Sequence, residues 1–418
     1  MRLYCLIICC VIMGLPVKGQ KTDRFLKDLL ERNAGPLLKK VLDSPSVYQY
    51  QVIYTQIDRD KNNNPHFKSW YLNVDAGRYF NPASTVKLPV SLAALEKLND
   101  LKVPGLNKYS SMITDSAFSG QTRVSVDSTS GDGLPSVAHY IKKIFMVSDN
   151  DAYNRLYEFN GQKSLNTTLW DKGYKNTRIT RRFVSMTEEE NRHTNPIDFL
   201  NKGQVVYKQP AAFSDIDFDF SRKVLIGKAH FNRDEVLLNE PMDFTKHNNF
   251  PLEEQQYMLR SVLFPESVPE KRRFRLNESD YSFLYRSMSE LPSQSDHPKY
   301  DLKEFFDSYA RFFWFRAGKQ NIPGNLRIFS KAGWSYGFLI DNAYIIDTVN
   351  NIEFMISAVI YVNKDGVLND NKYEYEETGY PFFKEVGEII YKNELKRKVK
   401  FKPNLDKFKK TEILNTAK

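Results

Sequence analysis

The chain has 418 residues and a formal charge of +9 at neutral pH, and 41% of its residues are hydrophobic. This composition supplies a packed core and excludes a disordered chain. The length accommodates one large, decorated domain or two ordinary ones. Much of the basic excess lies between residues 392 and 410. No RNA- or DNA-binding motif accompanies it, so we expect a charged, solvated tail and no nucleic-acid partner.

The first nineteen residues have the pattern of a secretion signal. Arg2 precedes an almost wholly apolar run from 3 to 15, and Gly19 supplies a small residue where cleavage is expected. The run is shorter than the roughly 20 apolar residues that span a bilayer. We therefore expect an exported bacterial protein, periplasmic or secreted, without a stable membrane anchor. The mature chain, 20–418, is expected to form a single domain.

Cysteine and histidine usage argues against thiol and metal chemistry. The three cysteines all lie in the leader: Cys5, Cys9 and Cys10. The six histidines are scattered, and no H-E-x-x-H motif, G-x-G-x-x-G loop or Walker A loop is present. The sequence thus predicts no thiol catalysis, no metal ion and no cofactor. It leaves the oligomeric state open.

The order of the predicted elements indicates an α/β fold. The patterns predict an interrupted helix over 23–42, a hairpin of strands near 48–54 and 67–74, helices from 84 to about 170, strands over 338–347 and 353–362, and a helix over 380–395. We expect an α/β sandwich in which one antiparallel sheet, from about 45–80 and 328–395, is covered by a helical lobe. That lobe covers about 84–325 and carries an insertion at about 198–320, where polar runs interrupt the apolar segments.

A serine and a lysine open the helix that begins near residue 84. Ser84 and Lys87 are three residues apart, so on a helix their side chains share one face and can form a hydrogen bond. Apolar neighbours would desolvate Lys87 and favour its neutral, proton-accepting form. A serine can then be activated without histidine. The same spacing also occurs where a serine simply caps a helix and an exposed lysine follows it, so the spacing alone does not identify an active site.

Two further motifs follow in the order of a known serine-enzyme pattern. Ser148-Asp149-Asn150 lies between two helical stretches, and Lys331-Ala332-Gly333 lies just before the strand from Phe338. With Ser84-Thr85-Val86-Lys87, this order resembles that of the class A β-lactamases and penicillin-binding proteins. The resemblance implies a β-lactamase/transpeptidase-like sandwich and an acyl-enzyme reaction on a β-lactam, a D-Ala-D-Ala-type peptide, or a related amide or ester. The implied partner is therefore a small-molecule or peptidoglycan-peptide substrate.

The resemblance also implies a role for each motif residue. Ser84 would form the acyl-enzyme, Lys87 would take its proton, and Ser148 would pass a proton to the leaving nitrogen. Asn150 would hold the substrate amide, and Lys331 would supply positive charge toward a substrate carboxylate. Gly333 would lie against the substrate, and the backbone N–H groups of Ser84 and Trp334 would form the oxyanion hole.

Two departures from the family pattern bear on turnover. Ala332 replaces the usual hydroxyl residue, so one donor to a substrate carboxylate is missing. Phe183 falls where the deacylating glutamate would stand, and the remaining candidate bases are three nearby glutamates: Glu188, Glu189 and Glu190. The sequence therefore predicts slow hydrolysis of a β-lactam acyl-enzyme.

Two other interpretations compete with this one. The stretch from Gly333 to Gly337 also matches G-x-S-x-G, the nucleophile elbow of α/β-hydrolases, but no histidine follows it and the next residues have a strand pattern. The second interpretation is a binding protein that keeps the scaffold and lacks turnover, suggested by Ala332 and Phe183.

Overall fold

The computed structural model describes residues 19–118 and 120–409, so the predicted leader up to residue 18 lies outside the described residues. The helices are α1 Arg24–Asn33, α2 Pro36–Leu42, α3 Pro45–Tyr48, α4 Lys87–Leu101, α5 Val137–Val147, α6 Asn150–Asn160, α7 Gln162–Asp171, α8 Glu188–Arg192, α9 Leu252–Leu263, α10 Glu278–Ser289, α11 Tyr380–Lys396 and α12 Asp406–Lys409. The strands are β1 Gln51–Arg59, β2 Pro65–Leu72, β3 Ser111–Thr114, β4 His193–Thr194, β5 Ile197–Asn201, β6 Gln204–Gln209, β7 Ala212–Phe213, β8 Leu225–Ile226, β9 Ala229–Phe231, β10 Leu237–Leu238, β11 Met242–Asp243, β12 Leu326–Ser335, β13 Phe338–Asp347, β14 Ile352–Tyr361 and β15 Val367–Leu368.

The main sheet joins strands from both ends of the chain. Within the described residues its order is β12-β13-β14-β1-β2, and every neighbouring pair is antiparallel. This confirms the predicted α/β class with an antiparallel sheet built from N- and C-terminal strands. The strands β13 and β14 are buried at every position, because helices cover both faces of the sheet. Strands that are buried on both faces show no regular alternation of apolar and polar residues.

Two hydrophobic layers flank this sheet. On one face, α1, α2 and α11 bury residues such as Leu26, Leu38 and Phe382 against the sheet. On the other face, Phe329 and Tyr344 of the sheet join the core of the helical lobe. The predicted break between α1 and α2 is confirmed at Ala34 and Gly35, where Pro36 begins the next helix.

The helical lobe is built around α4. This helix buries residues on all sides, including Leu88, Val90, Leu92 and Leu95, which is the composition of a central helix. It packs among α5, α6 and α7. The N-terminus of α4 meets the edge of the sheet at β12 through a short 3₁₀ helix, Ala83–Val86. The residues that the sequence singles out lie at this junction.

The stretch that the sequence assigns to an insertion contributes to the core. Within it, α9 and α10 bury Met258, Leu259 and Leu284 in the core of the helical lobe, and α9 packs directly on the main sheet. The apolar periodicity of these helices is interrupted by buried polar residues such as Gln255 and Gln256. An insertion therefore stays a prediction only for the rest of about 198–320, where β5 to β11 lie.

The last described residues pack back on the core. Leu405 and Phe408 are buried, and Phe408 lies against the rings of Phe264, Phe329 and Tyr344. The neighbouring basic residues Lys407 and Lys409 are exposed. Of the helices described, none combines the length and apolar composition needed to cross a membrane.

Candidate active site

Ser84 lies in a turn held in an unusual backbone conformation. It is half-buried in the 3₁₀ helix Ala83–Val86, directly before α4. The preceding residue, Ala83, has φ +46°, in the left-handed region. For a non-glycine residue this conformation costs of order 1–3 kcal/mol of strain energy, and it is kept only where surrounding contacts fix the backbone. Asn81 Oδ1 accepts a hydrogen bond from Ala83 N at 2.8 Å, which helps to fix the turn that carries the serine.

Lys87 is buried beneath Ser84, and its amine has four oxygen neighbours. Its side chain has no exposed surface. The distances from Nζ are 3.0 Å to Ser84 Oγ, 3.2 Å to Ser148 Oγ, 2.5 Å to the Ser148 carbonyl oxygen and 2.6 Å to Asn150 Oδ1. Burial lowers the pKa of Lys87 to about 7, although the nearby Asp149 carboxylate opposes this shift.

The hydrogen-bond geometry suits a neutral amine at Lys87. A neutral amine has two N–H donors and one lone pair, whereas an ammonium has three donors. The carbonyl of Ser148 and the amide oxygen of Asn150 can only accept, and they are the two shortest contacts. Two donors satisfy them, and the lone pair is left for the Ser84 hydroxyl at 3.0 Å. A neutral Lys87 would therefore have its lone pair directed to the Ser84 hydroxyl.

The Ser148-Asp149-Asn150 motif is a tight junction between two helices. Ser148 ends α5 in the left-handed region, with φ 62°. Asp149 caps α6, since its Oδ1 accepts a hydrogen bond from Ala152 N at 2.8 Å, and Asn150 is the first residue of that helix. The sharp turn directs both Ser148 and Asn150 toward Lys87, as their shared contacts with its amine show.

Lys331 completes the cluster from the sheet side. Its Nζ donates to Ser148 Oγ at 2.9 Å and to the Ala332 carbonyl at 2.7 Å. Burial lowers the pKa of Lys331 well below its ordinary value, and the positive charges of Lys87 and Arg311 add to this effect. Burial also raises the pKa of Asp341, on the neighbouring strand, to about 6. Lys331 thus reaches Ser148 from the sheet side of the cluster, as the resemblance implies.

Gly333 allows the edge of the sheet to contact the turn that carries Ser84. A Cβ at this position would lie 2.6 Å from Ser84 N and 3.1 Å from Thr85 N, closer than backbone atoms tolerate. The next residue, Trp334, packs its ring against Tyr309 and Phe312, with centroids 5.6 and 5.8 Å away. Because β12 is an edge strand, one side of its backbone is free to face a ligand.

The Lys331-Ala332-Gly333 motif lies inside a strand of its own. The sequence predicts it just before the strand from Phe338, whereas the structure places it in β12, which forms a hairpin with β13. Strand β12 is buried over most of its length, so it lacks the alternation that marks a strand in sequence. The hairpin turn at Tyr336 and Gly337, both with positive φ, leads into β13. The absence of a following helix there confirms that Gly333 to Gly337 is not a nucleophile elbow.

The positions that depart from the family pattern lie in or beside the cluster. Ala332 is fully buried in the apolar layer beneath the sheet edge. The ring of Phe183 lies 5.0 Å from Lys87 Nζ and stacks on Tyr153 with a centroid distance of 4.5 Å. An aromatic ring therefore lies beside Lys87, at the position where the resemblance would place the deacylating glutamate.

The three glutamates proposed as substitute bases lie on α8 and bond elsewhere. Glu188 pairs with Lys246 at 2.8 Å, Glu189 lies 3.3 Å from His193, and Glu190 closes the helix cap with Thr187. Within the described part of the chain, no hydrogen bond joins any of them to Ser84 or Lys87. These contacts argue against a role in deacylation.

The structure thus brings together residues from three separated segments of the chain: Ser84 and Lys87, Ser148 and Asn150, and Lys331. Sequence reasoning missed Arg181 and Arg233, which line a cavity beside Phe183. The two arginines are 52 positions apart, and neither belongs to a motif, so only the fold reveals them. In residues 19–118 and 120–409, no group of three or more His, Cys, Asp or Glu side chains is arranged to hold a metal ion.

No curated protein sequence matches this chain. Solved structures similar to it include a β-lactamase from Xanthomonas campestris (14% identity, TM-score 0.48, 87% of this chain and 98% of that one) and a β-lactamase from Sphaerobacter thermophilus (12%, 0.45, 84% and 94%). Another is a mutant of PBP-A in an acyl-enzyme complex with penicillin G (14%, 0.46, 88% and 97%). Residues 38–215, which include Ser84, Lys87, Ser148 and Asn150, match the model of the β-lactamase enzyme family.

Proposed function

We propose that the mature chain is an exported serine hydrolase of the β-lactamase and penicillin-binding type, which forms an acyl-enzyme on Ser84. One observation carries the proposal: a fully buried amine, Lys87, with its pKa lowered to about 7, lies 3.0 Å from the Ser84 hydroxyl. The family-model match over 38–215 supports it. Export rests on the leader pattern in the sequence.

In the acylation step, Ser84 Oγ attacks the carbonyl carbon of an amide, ester or β-lactam. Lys87 Nζ accepts the hydroxyl proton as the new C–O bond forms, and the carbonyl oxygen becomes an oxyanion. The N–H groups of Ser84 and of Trp334 on the edge strand are the proposed donors to that oxyanion. The close approach of Gly333 to Ser84 supports this assignment.

Collapse of the tetrahedral intermediate requires a proton at the leaving group. Ser148 Oγ lies 3.2 Å from Lys87 Nζ and 2.9 Å from Lys331 Nζ. A proton can therefore move from Lys87 to Ser148 and on to the departing nitrogen or oxygen as the bond to the acyl carbon breaks. Lys331 donates to Ser148 and holds its hydroxyl in place. Asn150 is the proposed contact for the substrate amide.

Deacylation requires a water molecule and a base to activate it. Phe183 offers no proton acceptor, and the glutamates of α8 bond elsewhere. Lys87 is then the remaining proposed base, and its reach to water is limited by the ring beside it. We therefore propose a long-lived acyl-enzyme with β-lactams, as expected of a penicillin-binding protein or peptidase.

A binding protein without turnover is the second candidate function. The specific observations in its favour are Phe183 beside Lys87 and the methyl group of Ala332 where the family pattern has a hydroxyl. Incubation of the mature protein with a fluorescent penicillin, followed by mapping of the adduct by mass spectrometry, separates the two. Ser84→Ala is the control.

We expect a lasting adduct on Ser84. Rapid product release with only transient labelling would indicate an efficient β-lactamase. Absence of any adduct, together with no cleavage of D-Ala-D-Ala peptides or simple esters, would refute the hydrolase proposal and leave the binding protein.

A further inference from the structure

A cavity of about 410 Å³ opens beside the candidate nucleophile, on the side where Phe183 lies. Its lining includes Asn81, which holds the nucleophile turn, Phe183, which lies beside Lys87, and Ser335, which follows Trp334 on the edge strand. The cavity therefore shares lining residues with the surroundings of Ser84 and Lys87. Its volume is within the range of ordinary small-molecule sites.

The lining of this cavity is basic. Three arginines contribute to it, Arg181, Arg182 and Arg233, and among the described residues it has no aspartate or glutamate. Arg182 is buried and paired with Glu158 at 3.1 Å, so its charge is compensated. The other two guanidinium groups are the charges that this cavity presents to a ligand.

Arg181 is oriented by a neutral partner. Its Nη1 lies 3.1 Å from His247 Nε2. Burial lowers the pKa of His247 to about 3, and the charge of Arg181 adds to this shift. The imidazole is therefore neutral at ordinary pH, so the hydrogen bond fixes the guanidinium without cancelling its charge. Several donors of Arg181 remain for a ligand.

Arg233 reaches the same space from the turn between β9 and β10. Its Nη2 donates to the Met186 carbonyl at 3.2 Å, which brings it onto the segment that carries Phe183. Its charge also acts on Glu190, whose pKa is lowered mainly by hydrogen bonds with Thr187 and further by Arg233. Arg181 and Arg233 also line a second cavity of about 380 Å³ with His247. This second cavity also has Glu188 and Asp243 in its lining, whereas the cavity beside Phe183 has no carboxylate among its described lining residues.

The position of this cavity relative to Ser84, Lys87 and Ser148 decides which part of a substrate can enter the cavity. Ser148, the proposed proton donor to the leaving group, and Lys331 are not in the cavity lining that the structure describes. The cavity meets the cluster through Phe183, whose ring lies 5.0 Å from Lys87 Nζ, and through Asn81, which holds the turn of Ser84. A group that enters it is therefore attached to the acyl carbon and stays on the protein after the leaving group departs.

We propose that this cavity is a subsite for a carboxylate on the acyl part of the substrate, bound by Arg181 and Arg233. The inference rests on the proposed acylation of Ser84, because that step defines the acyl side. The substrate class is then an amide or ester whose acyl chain ends in, or branches to, a carboxylate a few carbons from the scissile bond, as in an acidic peptide. Guanidinium groups bind carboxylates with paired, charge-assisted hydrogen bonds.

The kinetic test compares two esters that differ in one charge. The p-nitrophenyl monoester of glutaric acid is the anionic substrate, and p-nitrophenyl pentanoate is the neutral one. We expect kcat/KM to favour the anionic ester at least tenfold. This ratio should fall toward one in the Arg181→Gln/Arg233→Gln variant and below one in Arg233→Glu. The matched control is Arg24→Gln, on the exposed face of α1, which should keep the wild-type ratio.

A binding test separates this inference from the proposed function. In the Ser84→Ala variant, N-acetylglutamate should bind at least tenfold more tightly than N-acetylglutamine, by isothermal titration calorimetry at low salt. The added Arg181→Gln/Arg233→Gln changes should remove this difference. Equal binding of the two compounds, or binding of inorganic phosphate but not of N-acetylglutamate, would overturn the subsite.

The two failures are distinguishable. Hydrolysis of both esters through Ser84 with no anionic preference would refute the subsite and keep the hydrolase. Selective binding of N-acetylglutamate without acylation of Ser84 by any reagent would refute the hydrolase and keep the carboxylate site.

Discussion

Replacing Phe183 with glutamate changes the charge beside Lys87 and should affect the two half-reactions in opposite directions. The phenyl ring lies 5.0 Å from Lys87 Nζ, so a carboxylate at this position would lie about 5 Å from the amine. At an effective dielectric constant of about 20, two opposite charges at that distance attract by about 3 kcal/mol. Such an attraction raises the pKa of the amine by about two.

Acylation should therefore slow and deacylation should accelerate in Phe183→Glu. With the pKa of Lys87 near 7 in the native protein, about half of the amine is neutral at pH 7, against about one hundredth in the variant. Acylation at pH 7 is expected to fall roughly 50-fold. The new carboxylate can act as a general base toward water, which is typically worth about 10²–10⁴ in rate.

Pre-steady-state labelling with a fluorescent penicillin measures the first rate, and intact-protein mass spectrometry of the adduct after a chase measures the second. Phe183→Gln is the matched control, since it changes the shape almost equally without adding charge. If the glutamate and glutamine variants have the same acylation rate and the same adduct lifetime, the placement of residue 183 beside the reacting groups is wrong.

Three further predictions concern other parts of the structure. Lys87→Ala should lose nearly as much acylation rate as Ser84→Ala, and the double variant should be no worse, because the two groups act as a unit; an acylation rate for Lys87→Ala within a few-fold of wild type would disprove the base assignment. Gly333→Ala should reduce acylation at least 100-fold, since its Cβ would lie 2.6 Å from Ser84 N; wild-type labelling kinetics would show that β12 does not contact the turn. Glu353→Gln should lower the free energy of unfolding by about 3–5 kcal/mol, because it leaves the buried Arg59 guanidinium without its paired carboxylate. The control Asp198→Asn, in an exposed ion pair, should change the free energy of unfolding by less than about 1 kcal/mol. Equal denaturant midpoints for the two variants would contradict this prediction.

The motifs of the site could be predicted from sequence because their chemistry depends on residue type and local spacing. Ser84 and Lys87 are three residues apart at the start of a helix, and Ser148 to Asn150 form the junction of two helices. Such local geometry is set by neighbouring residues. The family pattern also indicates that Phe183 stands where a glutamate is usual, whereas its contact with Lys87 is seen only in the fold.

The remaining features depend on contacts between distant residues. The strand that carries Lys331 is buried on most of its length, so hydrophobic alternation does not mark it. The helices α9 and α10 contain buried polar residues such as Gln255 and Ser287, which obscure their apolar faces. The cavity formed by Arg181, Arg233 and His247 joins three loops, and no sequence pattern relates them.

The pH dependence of Ser84 acylation tests most directly whether a neutral amine activates this serine. Burial lowers the pKa of Lys87 from its ordinary value of 10.5 to about 7, so protonation below pH 7 removes the base and deprotonation above it restores the base. Stopped-flow labelling between pH 5 and 10 should show a rate that rises about tenfold per pH unit below 7 and levels off above about 8. A rate that is constant from pH 5 to 9, or that increases only toward pH 10, would contradict the assignment of Lys87 as the base.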